Sequence, residues 1–486
     1  MADYPCIKPN ILGVQTNFDA VVVGSGPNGL AAAITLQQEG LQVLLLEAKA
    51  TIGGGMRTAE LTLPGFHHDV CSAIHPMAAA SPFLRSLPLH EYGLEYLHPE
   101  VLAAHPFDDG TAAALYRSLG RTANGLGADN NAYRRLFEPL VKDWPLIDTH
   151  ILGPMLKIPR HPLALAQFGL KSLKSGKQIA GRFQTKEARG LWSGIVAHSM
   201  IPLESLTSSA IGFVLTIAGH RSGWPIPKGG SQRIADAMVN YFRSLGGTVQ
   251  TNTTVTTLTD LPESKVVLFD TSANQLLQIC GEKLSSFYRW QLRRHRYGMG
   301  VFKVDWALGE PVPFKSEQAR KAGTVHLGGT FEEVAHGERQ VWHGKHPKKP
   351  FVLFAQQRIV DDSRAPVGKH TGWAYCHVPN GSANDMTEAI TNQIERFAPG
   401  FRDTILATHT FNTAEMEIYN ANYIGGDING GIINLAQLFN RPALRFSPYR
   451  TSAKGVYICS ASTPPGGGVH GMGGYNAAMQ ALKDIF

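Results

Sequence analysis

The chain has 486 residues, more than one hydrophobic core fills, so two or three domains are expected. With 43% apolar and 17% charged residues it is neither disordered nor fibrous. Its formal net charge of +7 comes with no long basic run and no recognition motif, which argues against nucleic acid as a partner.

The opening segment, MADYPCIKPNILGVQTNF, lacks a charged n-region and an apolar h-region, so no secretory signal is visible and a cytoplasmic location is expected. No apolar run approaches the length of a membrane-spanning helix. Cys6, Cys71, Cys280, Cys376 and Cys459 are odd in number and scattered, which suits free thiols, and no CxxC exists for redox or zinc chemistry.

Residues 19–58 read DAVVVGSGPNGLAAAITLQQEGLQVLLLEAKATIGGGMRT. The short apolar run at 20–23 marks a strand buried on both faces of a parallel sheet. Gly24, Gly26 and Gly29 follow in GxGxxG spacing, then an alanine-rich helix that Gly40 stops in the left-handed conformation, then a second buried strand, 41–46, ending at Glu47. Gly24 permits the tight turn, Gly26 lets a pyrophosphate reach the backbone beside Pro27 and Asn28, and Gly29 admits close packing of helix on strand. The helix N-terminus presents its positive end to the phosphates, while Glu47, next to Ala48, accepts from a ribose diol and disfavours a 2′-phosphate. A second glycine turn with Gly54, Gly55, Met56, Arg57 and Thr58 wraps the pyrophosphate from the other side and resembles the GG motif of FAD proteins.

HHD at 67–69 has no matching ligands elsewhere and reads as a strand end with surface histidines, not a metal site. Residues 151–183 carry six Lys or Arg and no acid between apolar residues, a segment suited either to an anionic membrane surface or to an ordinary solvated helix face. Residues 224–255 predict a loop, an amphipathic helix with Ile234, Ala237, Met238 and Phe242 inward, a Gly246–Gly247 stop and a β-branched strand, and another strand is expected at 265–269. Alternating segments such as MGVFKVDWAL and PFVLFAQQRIV, within about 290–440, suit an antiparallel sheet.

The chain closes on PPGGGVHGMGGYNAAMQAL, with six glycines between Gly466 and Gly474. Such a cluster, running into a helix-forming sequence, points to a ligand that approaches the backbone closely at a helix N-terminus. Placed beside a flavin, the helix start from Gly471 would favour the anionic reduced ring.

GSGPNGL, EAKATIGGGMRT, WPIPKGGSQRIADAM and CSASTPPGGGVHGMGGYNAA together resemble the phytoene desaturase, carotenoid isomerase and retinol saturase group of FAD oxidoreductases. The middle motifs, YGMGVFKVDWALGEPVPF, HLGGTFEE, RAPVGKHTGWAYCHVP, QIERFAPGFRD and YIGGDINGG, are more similar to the branch of pyridine nucleotide-disulphide oxidoreductase domain-containing proteins. The similarity spans nearly the whole chain, although the link from Thr256 to Leu277 is short for the family and no cysteine pair supports disulphide chemistry.

The resemblance implies an α/β fold: a Rossmann-type FAD-binding domain assembled from discontinuous segments (1–78, 224–283 and 450–486), with an inserted α+β substrate domain built on an antiparallel sheet (284–449). Residues 79–223 are then a mainly helical region that includes the basic segment. It implies Val255, Ser460, Gly471, Met472 and Asn476 as further FAD contacts, and hydride transfer from a hydrophobic, polyene or lipid-like substrate to flavin, with oxygen or a quinone as acceptor. His75, His326 and His470 are candidate catalytic residues, each equally suited to a structural role, and Trp224, Trp373 and Tyr375 are candidates to line a substrate tunnel. Three alternatives stand beside this reading: a flavin amine oxidase, a carotenoid-isomerase-like enzyme without net oxidation, and a flavin-stabilised membrane-surface binding protein. A monomer or homodimer is expected, in peripheral contact with a membrane if segment 151–183 docks there.

Overall fold

The computed structural model of the protein describes residues 17–154 and 158–486, so Cys6, most of the opening segment and Lys157 lie outside the described residues. Two large sheets organise the chain. Their strands are β1 (Phe18–Val23), β2 (Val43–Leu46), β3 (Val101–Pro106), β4 (Ala112–Leu115), β5 (Thr248–Gln250), β6 (Ser264–Phe269), β7 (Gly300–Leu308), β8 (Ala322–Leu327), β9 (Val352–Ala355), β10 (His370–Val378), β11 (Ile405–Phe411) and β12 (Val456–Ile458). The helices that matter for the site are α1 (Pro27–Gln38), α2 (Asn130–Ile151), α3 (Pro162–Ser172), α4 (Lys186–Ala197), α5 (Ser208–Ser222), α6 (Gln232–Ser244), α7 (Phe331–Trp342) and α8 (Met472–Ile485).

The first sheet has the order β12-β6-β1-β2-β5 with every pairing parallel. Ala20 and Val22 point into one apolar layer with α1, α6 and α8, while Val21 and Val23 point into another with Leu276, Cys280 and Tyr288. Burial on both faces explains why the strand is an unbroken apolar run. Its strands come from separated stretches of the chain, as a Rossmann-type domain of discontinuous segments requires. Ile234, Ala237, Met238 and Phe242 of α6 are fully buried. The strand after Gly247 ends early, at Gln250. There the Asn252 and Thr253 N–H groups turn to the Lys49 and Glu47 carbonyls, which folds residues 251–255 across the strand ends.

The second sheet has the order β11-β7-β10-β9-β8-β3-β4. It is antiparallel except where β3 runs parallel to β8. Residues 79–223 are mainly helical, but β3 and β4, which the sequence did not suggest, lie within this stretch and extend the sheet. Their sequences, VLAAHP and AAAL, have the alanine content of a helix. Pairing with β8 and near-complete burial override that local preference. One face of this sheet packs Val304, Trp306, Phe354 and Cys376 against Ile390 and Ile394. The other face carries Thr324, His326, Leu353, Trp373 and Tyr375 toward α4, α5 and the first sheet.

The HHD stretch also departs from expectation. His67 is half-exposed, but His68 and Asp69 are buried, because the hairpin of Thr58–Glu60 with His67–Asp69 is wedged between the two sheets. Asp69 accepts from Arg364 at 2.5 Å, from the Ser231 N–H at 2.8 Å and from the Thr58 hydroxyl at 2.8 Å. Burial alone would raise its pKa, yet Arg364 and these donors bring it below the ordinary carboxylate value. Among the described residues no group of His, Cys, Asp and Glu is arranged to hold a metal, and no helix is long and apolar enough to cross a membrane.

Candidate cofactor and substrate site

A cavity of about 390 Å³ opens at the carboxyl ends of the parallel strands and continues to the inner face of the second sheet. This is where the rule for open α/β sheets puts a ligand. Gly24, Gly26, Pro27 and Asn28 line it after β1, Glu47 and Ala48 after β2, Val255 after β5, Asp270 after β6 and Ser460 after β12. Gly54, Gly55 and Arg57 close it from the opposite side.

The residues fit a dinucleotide. Gly24 has φ +100°, a turn that a side chain would strain, and a Cβ on Gly29 would overlap the Gly24 carbonyl. A Cβ on Gly54 would lie 2.9 Å from the Gly26 Cα, so the two glycine loops meet backbone to backbone and form a cradle. Arg57 donates to Glu47 at 3.1 Å and to the Thr51 carbonyl at 2.8 Å, and the Ser25 N–H reaches Glu47 at 3.1 Å. A cation, a helix N-terminus and an acid thus stand where a diphosphate and a ribose diol need them.

Several predicted contacts stand off the cavity. Gly29 gives its N–H to Asp270 Oδ2 at 2.9 Å, Met56 is core, and Thr58 belongs to the Asp69 cluster. Gly471, Met472 and Asn476 do not line it either. A Cβ on Gly474 would overlap the Asn28 backbone, so these C-terminal glycines let α8 lie directly on α1. In the glycine run it is Gly468 that faces the cavity, with Val469 beside it.

The three candidate histidines separate in the same way. His75 lines the cavity, with its Nε2 at 2.7 Å from the Ser231 hydroxyl, and burial lowers its pKa to about 4. His326 does not line it and reaches it through His198, 2.9 Å away. His470 is a fold residue: its Nδ1 accepts from the Met472 N–H at 3.1 Å and its Nε2 faces the Gly466 carbonyl at 3.2 Å. That arrangement gives the first N–H of α8 an acceptor, and burial lowers His470 to about 4.

Sequence reasoning missed Asp270 and His198. The signal for Asp270 is an acid directly after the expected strand at 265–269; His198 carries none, because its partners are remote in the chain. Burial raises the Asp270 pKa to about 7, with the Gly29 N–H opposing and Glu47 adding to the shift.

The wall toward the second sheet is apolar. Met77, Met200, Leu215, Trp224, Leu353 and Trp373 line it, with Tyr375 beside them. Trp373 donates its indole N–H to the Asp69 carbonyl at 2.8 Å, and Trp224 donates to the Leu215 carbonyl at 3.3 Å, so both rings are fixed. Behind Trp373 lies the buried pair Lys303 and Asp305, its ammonium 5.8 Å from the ring centroid, with Asp305 raised to about 6 by burial.

A family model described as flavin containing amine oxidoreductase matches residues 28–277. Over 97% of this chain and 94% of its own length, the mouse pyridine nucleotide-disulfide oxidoreductase domain-containing protein 2 is 25% identical. A component of the limonene dehydrogenase of Castellaniella defragrans is 22% identical over 96% of this chain and 95% of its own. An oxidoreductase from Methanosarcina mazei shares the fold, with a TM-score of 0.62 at 14% identity, covering 96% of this chain and 99% of that one.

Proposed function

The chain belongs to the flavin containing amine oxidoreductase family and is an FAD-dependent oxidoreductase, and from that premise we propose that it oxidises a hydrophobic, polyene or lipid-like molecule at a CH–CH bond. The observation that carries this reading is the apolar wall of Met77, Met200, Leu215, Trp224, Leu353 and Trp373. The carboxylates that line the cavity among the described residues, Glu47 and Asp270, both stand at the ends of the nucleotide strands, and Asp69 and Asp305 behind Trp373 are paired with Arg364 and Lys303, so an ammonium group would find no free counter-charge lining that wall. The name of the limonene dehydrogenase component supports the same direction, since limonene is a hydrocarbon. A phytoene desaturase-like action on a carotenoid falls within this class.

When bound, FAD supplies the hydride acceptor. The protein's own residues bind and shield: the glycine loops and Arg57 take the diphosphate, Glu47 takes a ribose diol, and the tryptophans orient an apolar chain and keep water out. His75 and His198, both neutral through burial, line the cavity without introducing a charge. Oxygen or a quinone would then accept the electrons. The exposed apolar residues of α3, flanked by lysines, support peripheral contact with a membrane as the source of such a substrate.

Anaerobic mixing of the FAD-loaded protein with polyenes and isoprenoid lipids is expected to bleach the flavin band. An unchanged spectrum across that panel, with amine-dependent peroxide release instead, would replace this reading with an amine oxidase.

A further inference from the structure

His198 and Thr324 both line the cavity, one from the end of α4 and the other from β8, and the protein leaves hydrogen-bonding capacity on each unused. His198 caps the C-terminus of α4 and lines the cavity. Its Nε2 lies 2.9 Å from His326 Nε2, the rings crossing at 74°. One of these two nitrogens must carry the hydrogen. His326 is fully buried and its Nδ1 has no partner; a Cβ on Gly194 would sit 2.6 Å from it. A hydrogen on that Nδ1 would be an orphan donor in a dry interior, so the hydrogen belongs on His326 Nε2 and is donated to His198. His198 therefore carries its own hydrogen on Nδ1, which makes no bond within the protein. Burial lowers both rings well below the ordinary histidine value, His198 to about 3, so both are neutral.

Thr324 sits in the middle of β8, two residues before His326 and on the same face. It is 1% exposed, it lines the cavity, and its hydroxyl has no partner. Its neighbours across the sheet are Ala355 and Ala103, which offer it nothing polar. Leu215, Trp224 and Leu353 complete this part of the wall. A purely apolar ligand would need no hydroxyl there and would leave both groups unpaired.

We propose that His198 Nδ1–H and the Thr324 hydroxyl form an oxygen subsite, which takes one hydroxyl, carbonyl or carboxyl group of an otherwise hydrophobic substrate. This rests on the hydrophobic-substrate reading and narrows it. Two donors lining the same stretch of wall would hold one acceptor, whereas an ammonium would meet the His198 N–H with no acid beside it, and a hydrocarbon would leave both groups unsatisfied.

The test titrates the FAD-loaded protein, under nitrogen, with farnesol, farnesal, farnesoic acid and farnesene, and reads the shift of the visible flavin band. At least one oxygenated probe is expected to bind about tenfold or more tighter than farnesene. T324V and H198L are each expected to erase that preference while farnesene affinity stays within about twofold. The flavin band itself reports that each variant is folded and loaded. Equal binding of all four probes, or variants that keep the preference, would overturn the subsite and leave the hydrophobic-substrate reading standing. If none of the four shifts the band, both fall together.

Discussion

Asp270 shows how one carboxyl can link cofactor binding to pH. It lies under the glycine loop proposed to receive a diphosphate, holds the Gly29 N–H at 2.9 Å, and has Glu47 and the Cys459 thiol as its titratable neighbours. Its pKa in the folded protein is raised to about 7 against an ordinary 3.8, first by burial. The fold thus prefers it neutral: that contribution to stability is complete below about pH 4 and is lost as pH rises through about 7. A diphosphate beside it favours the proton further, so FAD should bind most tightly below pH 7 and weaken by about tenfold toward pH 9. D270N keeps an acceptor for Gly29 without the charge, and should bind FAD tightly with a flat pH profile. Calorimetric titration across that range measures both, and an unchanged slope in D270N would remove Asp270 from this role.

At the scale of elements, α4 explains how a polar sheet face can be buried. Its Gly190 and Gly194 lie one helical turn apart, and a Cβ on them would meet His105 at 2.9 Å and His326 at 2.6 Å. The helix can lie on β3 and β8 because it is bare where the imidazoles stand. G194A should therefore destabilise the protein by about 1–3 kcal/mol through overpacking, although alanine favours a helix by about 1 kcal/mol over glycine. The denaturant midpoint reads the sign, and a gain in stability would show that the contact is looser than described. None of this is legible locally: GLWSG gives no hint that its glycines face histidines more than 80 residues away in the chain on one side and more than 120 on the other. β3 and β4 were hidden for the related reason that alanine is a helix former until a neighbouring strand pairs with it.

For the whole molecule, a buried cluster ties remote parts of the chain together beside the cavity: Thr58 and Asp69 of one hairpin meet Ser231 and Arg364 from two other segments. Breaking such a cluster on one side leaves a charge without a partner, so these segments are held in one relation. The outer surface carries the remaining sequence signal. On α3, Leu163 is 86% and Leu170 69% exposed on one face, seven residues apart, while Phe168 is buried on the other. Leu173 and Leu206 extend that exposed apolar surface, and Lys171, Lys174 and Lys177 flank it. Vesicles containing phosphatidylserine should carry the protein upward in a flotation gradient, and K171Q/K174Q/K177Q should lower the bound fraction. Wild-type protein that stays at the bottom would mark the segment as ordinary surface.

The amino-acid sequence by itself determined the nucleotide half. A buried parallel strand, a glycine turn and a following acid are contiguous, and their spacing carries the geometry because the βαβ unit is built from local contacts. Only the tertiary structure decided the rest. It set Asp270 under the glycine loop, turned the His470 ring to the first N–H of α8, buried His68 and Asp69, and placed His198 and Thr324 on one cavity wall. Each of these depends on partners from distant parts of the chain, and burial, which sets their charge and leaves their hydrogen bonds open, is a property of the packed molecule and not of any short stretch of it.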